Sequence, residues 1–235
     1  MIDLNIFTNC TKYNSQDSRL VEATLNSFYS KFNRDFFKTI KIYVDLYPHG
    51  ENIETYTQAL QQLIPNAEII RTSGLADGYH QSIKNAASDY LFQLEHDWVF
   101  LDTIEHTIGQ LLNCMIVHNM KYLRFNKRPN CATGTSWDRH FAPETVCGVD
   151  FCRVEMPSNN PHIIDARHYN KYHTDPDPYH PERLAIEPKC DGSKGVEDKL
   201  RGLYGYVYGG LDHPAVVEHI DGRGRPLPEK LYINI

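Results

Sequence analysis

The chain has 235 residues, 41% of them hydrophobic and 23% charged; at this length roughly 70 to 75% of the unfolded surface can be buried, so a full core needs neither a disulfide nor a structural metal. A formal charge of -6, from 24 Lys and Arg against 30 Asp and Glu, argues against a broad nucleic-acid surface, and no stretch stays apolar for the about 18 residues that a membrane helix requires. Six cysteines without a C-x-x-C pair exclude a zinc ribbon or a thioredoxin-like site, and the start MIDLNIFTNC lacks a basic region followed by a long apolar run, so the expectation is a cytoplasmic protein with reduced thiols.

In chain order, residues 4–10 (LNIFTNC) form an apolar run ending in polar residues, and residues 18–32 carry apolar side chains at a helical period, which makes one β-α unit. Residues 40–46 (IKIYVDL) alternate and are β-branched; Pro48-His49-Gly50 breaks the chain before a second helical pattern at 51–64, which Pro65-Asn66 ends. Residues 67–72 are predicted as a third strand, 78–88 as a short helix and 90–100 (YLFQLEHDWVF) as a fourth strand containing Glu95-His96-Asp97. Repeated β-α units predict an α/β domain with a mostly parallel central sheet flanked by helices, whose ligands collect at the carboxyl ends of the strands. After about residue 103 the pattern changes. A helix is predicted over 104–119 and a strand over 122–125, but the rest is rich in Pro, Gly, His and Tyr, and 172–195 is the longest segment without periodicity.

Glu95 and Asp97 stand two apart at the exit of an apolar strand, where they project to one side. Buried carboxylates are costly without a counter-charge. A divalent cation satisfies them, and oxygen ligands favour Mg²⁺ or Mn²⁺ over zinc; a Lys or Arg at a sheet edge would also serve. The segment 121–128 (KYLRFNKR) is a local basic patch able to meet a diphosphate or an acidic acceptor, or a strand with a solvated basic face. Thr8 and Asn9 follow the first strand, Asp45 closes the second, and Arg71 to Ser73 close the third, so all line the expected crevice. Lys84 can reach a diphosphate from the short helix or remain a solvated helix lysine.

Gly74-Leu75-Ala76, His80-Gln81-Ser82-Ile83, Ala86, Asp89-Tyr90-Leu91 and Leu94-Glu95-His96-Asp97 follow one another in an order and spacing that resemble the GT-A glycosyltransferases, family-2-like nucleotide-sugar transferases with an Asp-x-Asp type motif. The departures are His80 for the usual Asn, Ser82 for Gly and Glu95 for the first Asp. Downstream, Gly195-Val196-Glu197-Asp198 looks like the segment that supplies the catalytic base of inverting members, and Val217 to Gly222 (VEHIDG) looks like the late segment whose histidine closes the metal site. The resemblance implies a single Rossmann-like GT-A domain over 1–235, with a nucleotide-sugar half at 1–102 and an acceptor and catalytic-base half at 103–235. It implies Mn²⁺ or Mg²⁺ held by Asp97, His219 and Glu95, with Asp198, then Glu197, as base. The cofactor-side residues are Thr8, Asn9, Asp45, Arg71, Ser73, Leu75, Lys84, Glu95 and His96. The implied reaction is inverting transfer from a nucleoside diphosphate sugar, with UDP-sugars favoured, to a saccharide or other hydroxyl acceptor.

His213 competes with His219 for the metal, but Pro214 fixes it in a turn. Trp98, Trp137, Tyr169, Tyr172, Tyr179 and the run 204–208 offer aromatic surface for a saccharide or for the core, and Asn159, Asn160 and Asp165 offer acceptor hydrogen bonds. A nucleotidyltransferase would carry a Gly-rich loop after the first strand, where TNCTKYNSQDSR has no glycine. The non-enzymatic alternative is a carbohydrate- or nucleotide-sugar-binding protein on the same fold.

Overall fold

The computed structural model of the protein describes residues 1–10, 18–45, 52–132, 140–154, 158, 160–171 and 205–220. Strands β1 (Ile2–Asn9), β2 (Phe37–Asp45), β3 (Glu68–Thr72) and β4 (Tyr90–Glu95) form the first half of a nine-stranded sheet, in the order β3-β2-β1-β4 and parallel throughout. The strongly apolar runs seen in sequence have a simple cause, since a parallel strand covered by helices is buried on both faces. β1 illustrates it: Ile2, Leu4 and Ile6 face one core cluster with Val21, Leu25 and Phe28 of α1 (Arg19–Tyr29), and Phe7 faces a second with Tyr79 and Ile83 of α3 (Leu75–Lys84). Helix α2 (Ile53–Leu63) adds Tyr56 and Leu60 to the first cluster.

The second half of the sheet continues as β9-β6-β10-β8-β7. β9 (His162–Asp165) is antiparallel to both β4 and β6 (Tyr122–Arg124), β10 (Gly205–Tyr208) is parallel to β6, and β8 (Val149–Val154) and β7 (His140–Val146) complete an antiparallel edge. The parallel sheet expected from the first hundred residues is therefore present, and mixed pairing extends it. α4 (Ile108–Val117) opens on a capping box in which the Thr107 hydroxyl and the Gln110 side chain exchange hydrogen bonds with each other's backbone amide. α5 (Ala166–Lys171) follows β9.

One sequence expectation fails here. Residues 90–100 are not one strand: His96 and Asp97 form a turn, and β5 (Trp98–Phe100) leaves the main sheet to pair antiparallel with β11 (Val217–His219). The break occurs because Trp98 and Phe100 join the core beside α1, with Phe100 edge-on to Phe28 and its amide donating to the Ser27 hydroxyl. Strand alternation thus ends at Glu95, and Asp97 is aimed by the turn.

Candidate active site

The carboxyl ends of the parallel strands lie side by side, with Asn9 in register with Asp45, Asp45 with Thr72, and Phe7 with Glu95. At the β1 end the Thr8 hydroxyl shares a 2.5 Å hydrogen bond with Tyr56 of α2. Asp45 Oδ1 is buried without a partner, and burial, followed by the nearby charge of Asp77, holds this carboxyl above its usual value. Asp77 itself accepts from the Ser73 amide and hydroxyl and from Gln81, which fixes the entry to α3. Arg71 is drawn outward into an ion pair with Glu54.

Glu95 ends β4 half-buried, where the hydroxyl of Tyr79 donates to its Oε1 at 3.2 Å. Tyr79 is fully buried, its ring stacked on Phe7 at 4.0 Å; burial and then the charge of Glu95 push its hydroxyl well above the ordinary tyrosine value, so it remains a donor. His96 turns inward: it is buried, its Nδ1 lies 3.2 Å from the Phe7 carbonyl, and its own carbonyl accepts from Thr24. Burial lowers its pKa and leaves it neutral. His96 is a cofactor-side residue by the resemblance, but its ring is packed beneath the site and does not line the crevice.

Asp97 and His219 come together across the turn. The Ile220 amide donates to the Asp97 carbonyl at 2.7 Å, His219 pairs with Trp98 in the β5–β11 ladder, and His219 Nε2 lies 2.9 Å from Asp97 Oδ2. The other carboxylate oxygen, Oδ1, is buried without a partner. Burial, the largest single influence, acts to raise the Asp97 carboxyl, but the hydrogen bond from His219 together with the neighbouring His96 and His219 imidazoles and its own backbone amide leaves the group below the usual carboxylate range. The same hydrogen bond raises His219 above the ordinary imidazole value. Residues 122 positions apart are thus fixed as one charged unit. A carboxylate oxygen whose lone pairs are not engaged in a hydrogen bond, beside an imidazole, is a donor set that fits Mn²⁺ or Mg²⁺, ions that take one or two protein carboxylates and complete their shell with substrate phosphates.

Among the described residues no group of three or more His, Cys, Asp or Glu side chains is placed to hold a metal. The pair Asp97 and His219 is therefore a two-member set, and Glu95, engaged by Tyr79, stands next to it and not in it. His213 packs edge-on against Tyr208 with its Nδ1 2.9 Å from the Pro214 carbonyl, away from Asp97. Glu197 and Asp198 lie outside the described residues, as do Trp137, Asn159, Tyr172 and Tyr179.

Other expected positions separate. Leu75 opens α3 beside the crevice, but Lys84 ends the same helix about nine residues later, about 14 Å along its axis, where Ala87 and Ser88 hydrogen-bond Asp3 near the start of β1; the fold does not bring it to the site. Asp165 is in register with Tyr90 at that same far edge, where Lys121 and Arg167 hold it, so the acceptor role is not supported by its position. Trp98, Tyr169, Tyr206 and Tyr208 are buried core residues. Tyr56 and Tyr79 are site neighbours that sequence reasoning missed, whereas Lys127 belongs to the basic stretch 121–128 already singled out. For Tyr79 the signal was available, because Leu75, Tyr79 and Ile83 recur every four residues and so share the sheet-facing side of α3.

No protein-family model matches the chain, and no curated protein matches it. Among solved structures, it is similar to the mannosyltransferase PcManGT from Pyrobaculum calidifontis in complex with GDP-Man and Mn²⁺, at a TM-score of 0.53 and 13% identity, over 94% of this chain and 58% of that one. The chain thus spans little more than half the length of that protein. No helix among the described residues is long and apolar enough to cross a membrane. The chain has a mixed α/β, Rossmann-like fold shared with a solved glycosyltransferase.

Proposed function

We propose that the protein is a metal-dependent GT-A type glycosyltransferase that moves a sugar from a nucleoside diphosphate sugar to a hydroxyl acceptor. The observation that carries this reading is the Asp97–His219 pair, 2.9 Å apart with Asp97 Oδ1 buried and unpartnered, at the carboxyl edge of the sheet. Mn²⁺ or Mg²⁺ bound by these two residues supplies Lewis-acid stabilisation to the departing diphosphate. Asp97 offers its free oxygen, and His219, once its proton is displaced, its Nε2. Thr8, Asn9 and Asp45 on the neighbouring strand ends take the base and ribose, with Ser73 and Leu75 flanking them. Glu95, steadied by Tyr79, would reach the ribose or a water. Asp198, or Glu197 next to it, removes the acceptor proton as the hydroxyl attacks the anomeric carbon, which gives inversion. UDP-sugars are favoured by the sequence resemblance; GDP-Man is the ligand of the similar mannosyltransferase, so both nucleotides belong in the test.

The test is thermal stability with UDP and GDP, with and without Mn²⁺, followed by donor turnover and analysis of the product anomer. Stabilisation by at least one nucleotide that requires Mn²⁺ is expected, with a loss of turnover on the order of 100-fold or more in Asp97→Ala. If neither nucleotide gives a metal-dependent shift and Asp97→Ala behaves as wild type, the reading is wrong. Full activity in Asp198→Asn and Glu197→Gln would remove the base assignment alone.

A further inference from the structure

The basic stretch 121–128 is divided by the fold. Lys121 pairs with Asp165 at the far edge, Arg124 is buried in β6, and Lys127 comes to the crevice edge. Its ammonium stands 5.6 Å above the ring of Trp98, and that ring lies 4.6 Å from the imidazole of His219. The charge of Lys127 is close enough to oppose protonation of His219. Lys127 is exposed, and among the described residues no carboxylate forms an ion pair with it. A lysine this close to an Asp–His pair would ordinarily turn to the aspartate. Here Asp97 is already taken by His219, and the cation rests on an indole.

The backbone that carries Lys127 is clamped. The Asn126 carbonyl accepts from the Val216 amide at 2.8 Å, its side chain donates to the Arg128 carbonyl at 2.7 Å, and Asn130 donates to the carbonyls of Tyr208 and Gly209. Lys127 and β11, which carries His219, are therefore anchored to each other through Asn126. Such anchoring leaves little backbone entropy to lose when an anion arrives.

We infer that Lys127 is a binding residue for the leaving phosphate of the donor, placed beside the Asp97–His219 pair to meet negative charge there. The inference rests on the proposed glycosyltransferase reading. Its chemical basis is charge: departure of the sugar leaves the diphosphate with about one more negative charge than it bore in the donor, so a fixed cation at that place favours the transition state over the bound donor. A lysine suits a single phosphate as a compact point charge.

Binding of GDP, UDP and the corresponding monophosphates, each with Mn²⁺, is measured by calorimetry on wild type, Lys127→Ala and Lys127→Arg. In Lys127→Ala the affinity for the diphosphate bound by wild type is expected to fall about 10-fold and that for the monophosphate about 2-fold or less, whereas Lys127→Arg stays within about 3-fold for both. Unchanged melting temperatures are expected, because the side chain is exposed. Equal diphosphate affinity in wild type and Lys127→Ala, or an equal fall for diphosphate and monophosphate, overturns the Lys127 assignment and leaves the glycosyltransferase reading standing. Absence of nucleotide binding by wild type overturns both.

Discussion

Tyr79 and Glu95 show how a single buried hydroxyl can aim a carboxylate. Tyr79 has no alternative use for its O–H: the ring is stacked on Phe7, the residue is fully buried, and its hydroxyl stays protonated far beyond neutral pH. Its donation at 3.2 Å to Glu95 Oε1 is a hydrogen bond to an ionised acceptor, a class worth about 1.5 to 3 kcal/mol in stability when partly buried. A double-mutant cycle isolates it. Tyr79→Phe and Glu95→Ala are each expected to destabilise the protein, with a coupling of about 1 to 2 kcal/mol between them by urea unfolding. Additive effects would mean that the hydroxyl does not hold the carboxylate. The same residues show what sequence could disclose at this scale. Glu95 and Asp97 were visible as an acidic pair, but their separation into a Tyr79-held carboxylate and a His219-paired one was not, because it arises from the turn at His96–Asp97. The Asp97–His219 contact was suggested only by resemblance, since nothing local in sequence joins residues so far apart.

At the scale of elements, the packing of α3 on the sheet sets how close the crevice walls stand. Gly78 lies in the interior of α3, where alanine would ordinarily gain about 1 kcal/mol in helix propensity. A Cβ at that place would lie 3.2 Å from Phe7 Cδ1 and 3.4 Å from Tyr43 Cβ. Phe7 cannot swing aside, because it is stacked between Tyr43 at 5.3 Å and Tyr79 at 4.0 Å. Gly78→Ala is therefore expected to lower stability by about 1 kcal/mol, the steric term exceeding the helical gain. A rise in melting temperature would show that α3 stands farther from β1 than the contacts imply. β1 and β4 were legible from sequence because strands buried on both faces announce themselves as apolar runs, and β2 because its β-branched residues alternate. β9 was not: in HIID two apolar residues stand between His162 and Asp165, so it gives no such run, and its identity depends on pairing with β4 and β6. β5 and β11 were hidden for a related reason, being three residues each and defined only by one another.

Across the whole molecule, β9 joins the parallel half of the sheet to the mixed half, and Asp165 at its end is the polar tie between them. The carboxylate is buried and meets Lys121 at 2.8 Å, from the segment leading into β6, and Arg167 at 3.1 Å, from α5, while the Asp165 amide donates to the Lys121 carbonyl. Burial alone would raise this carboxyl, but hydrogen bonds from Arg167 and Lys121 overcome it and hold the group below its usual value. A carboxylate depressed in the folded state contributes stability that is fully present above its unfolded value, about pH 4, and is lost as pH falls through the folded value. Asp165→Asn should thus cost about 2 kcal/mol at neutral pH, below the usual range for breaking a buried pair because Lys121 and Arg167 still reach water. The difference between the two proteins should then shrink on acidification below about pH 4. Urea midpoints for both proteins at neutral pH and near pH 3 measure this directly. A gap of constant size at both pH values would mean that the negative charge of Asp165, and so its ion pairs, contributes nothing to the join between the two halves of the sheet, which the β9 ladders and apolar packing would then hold.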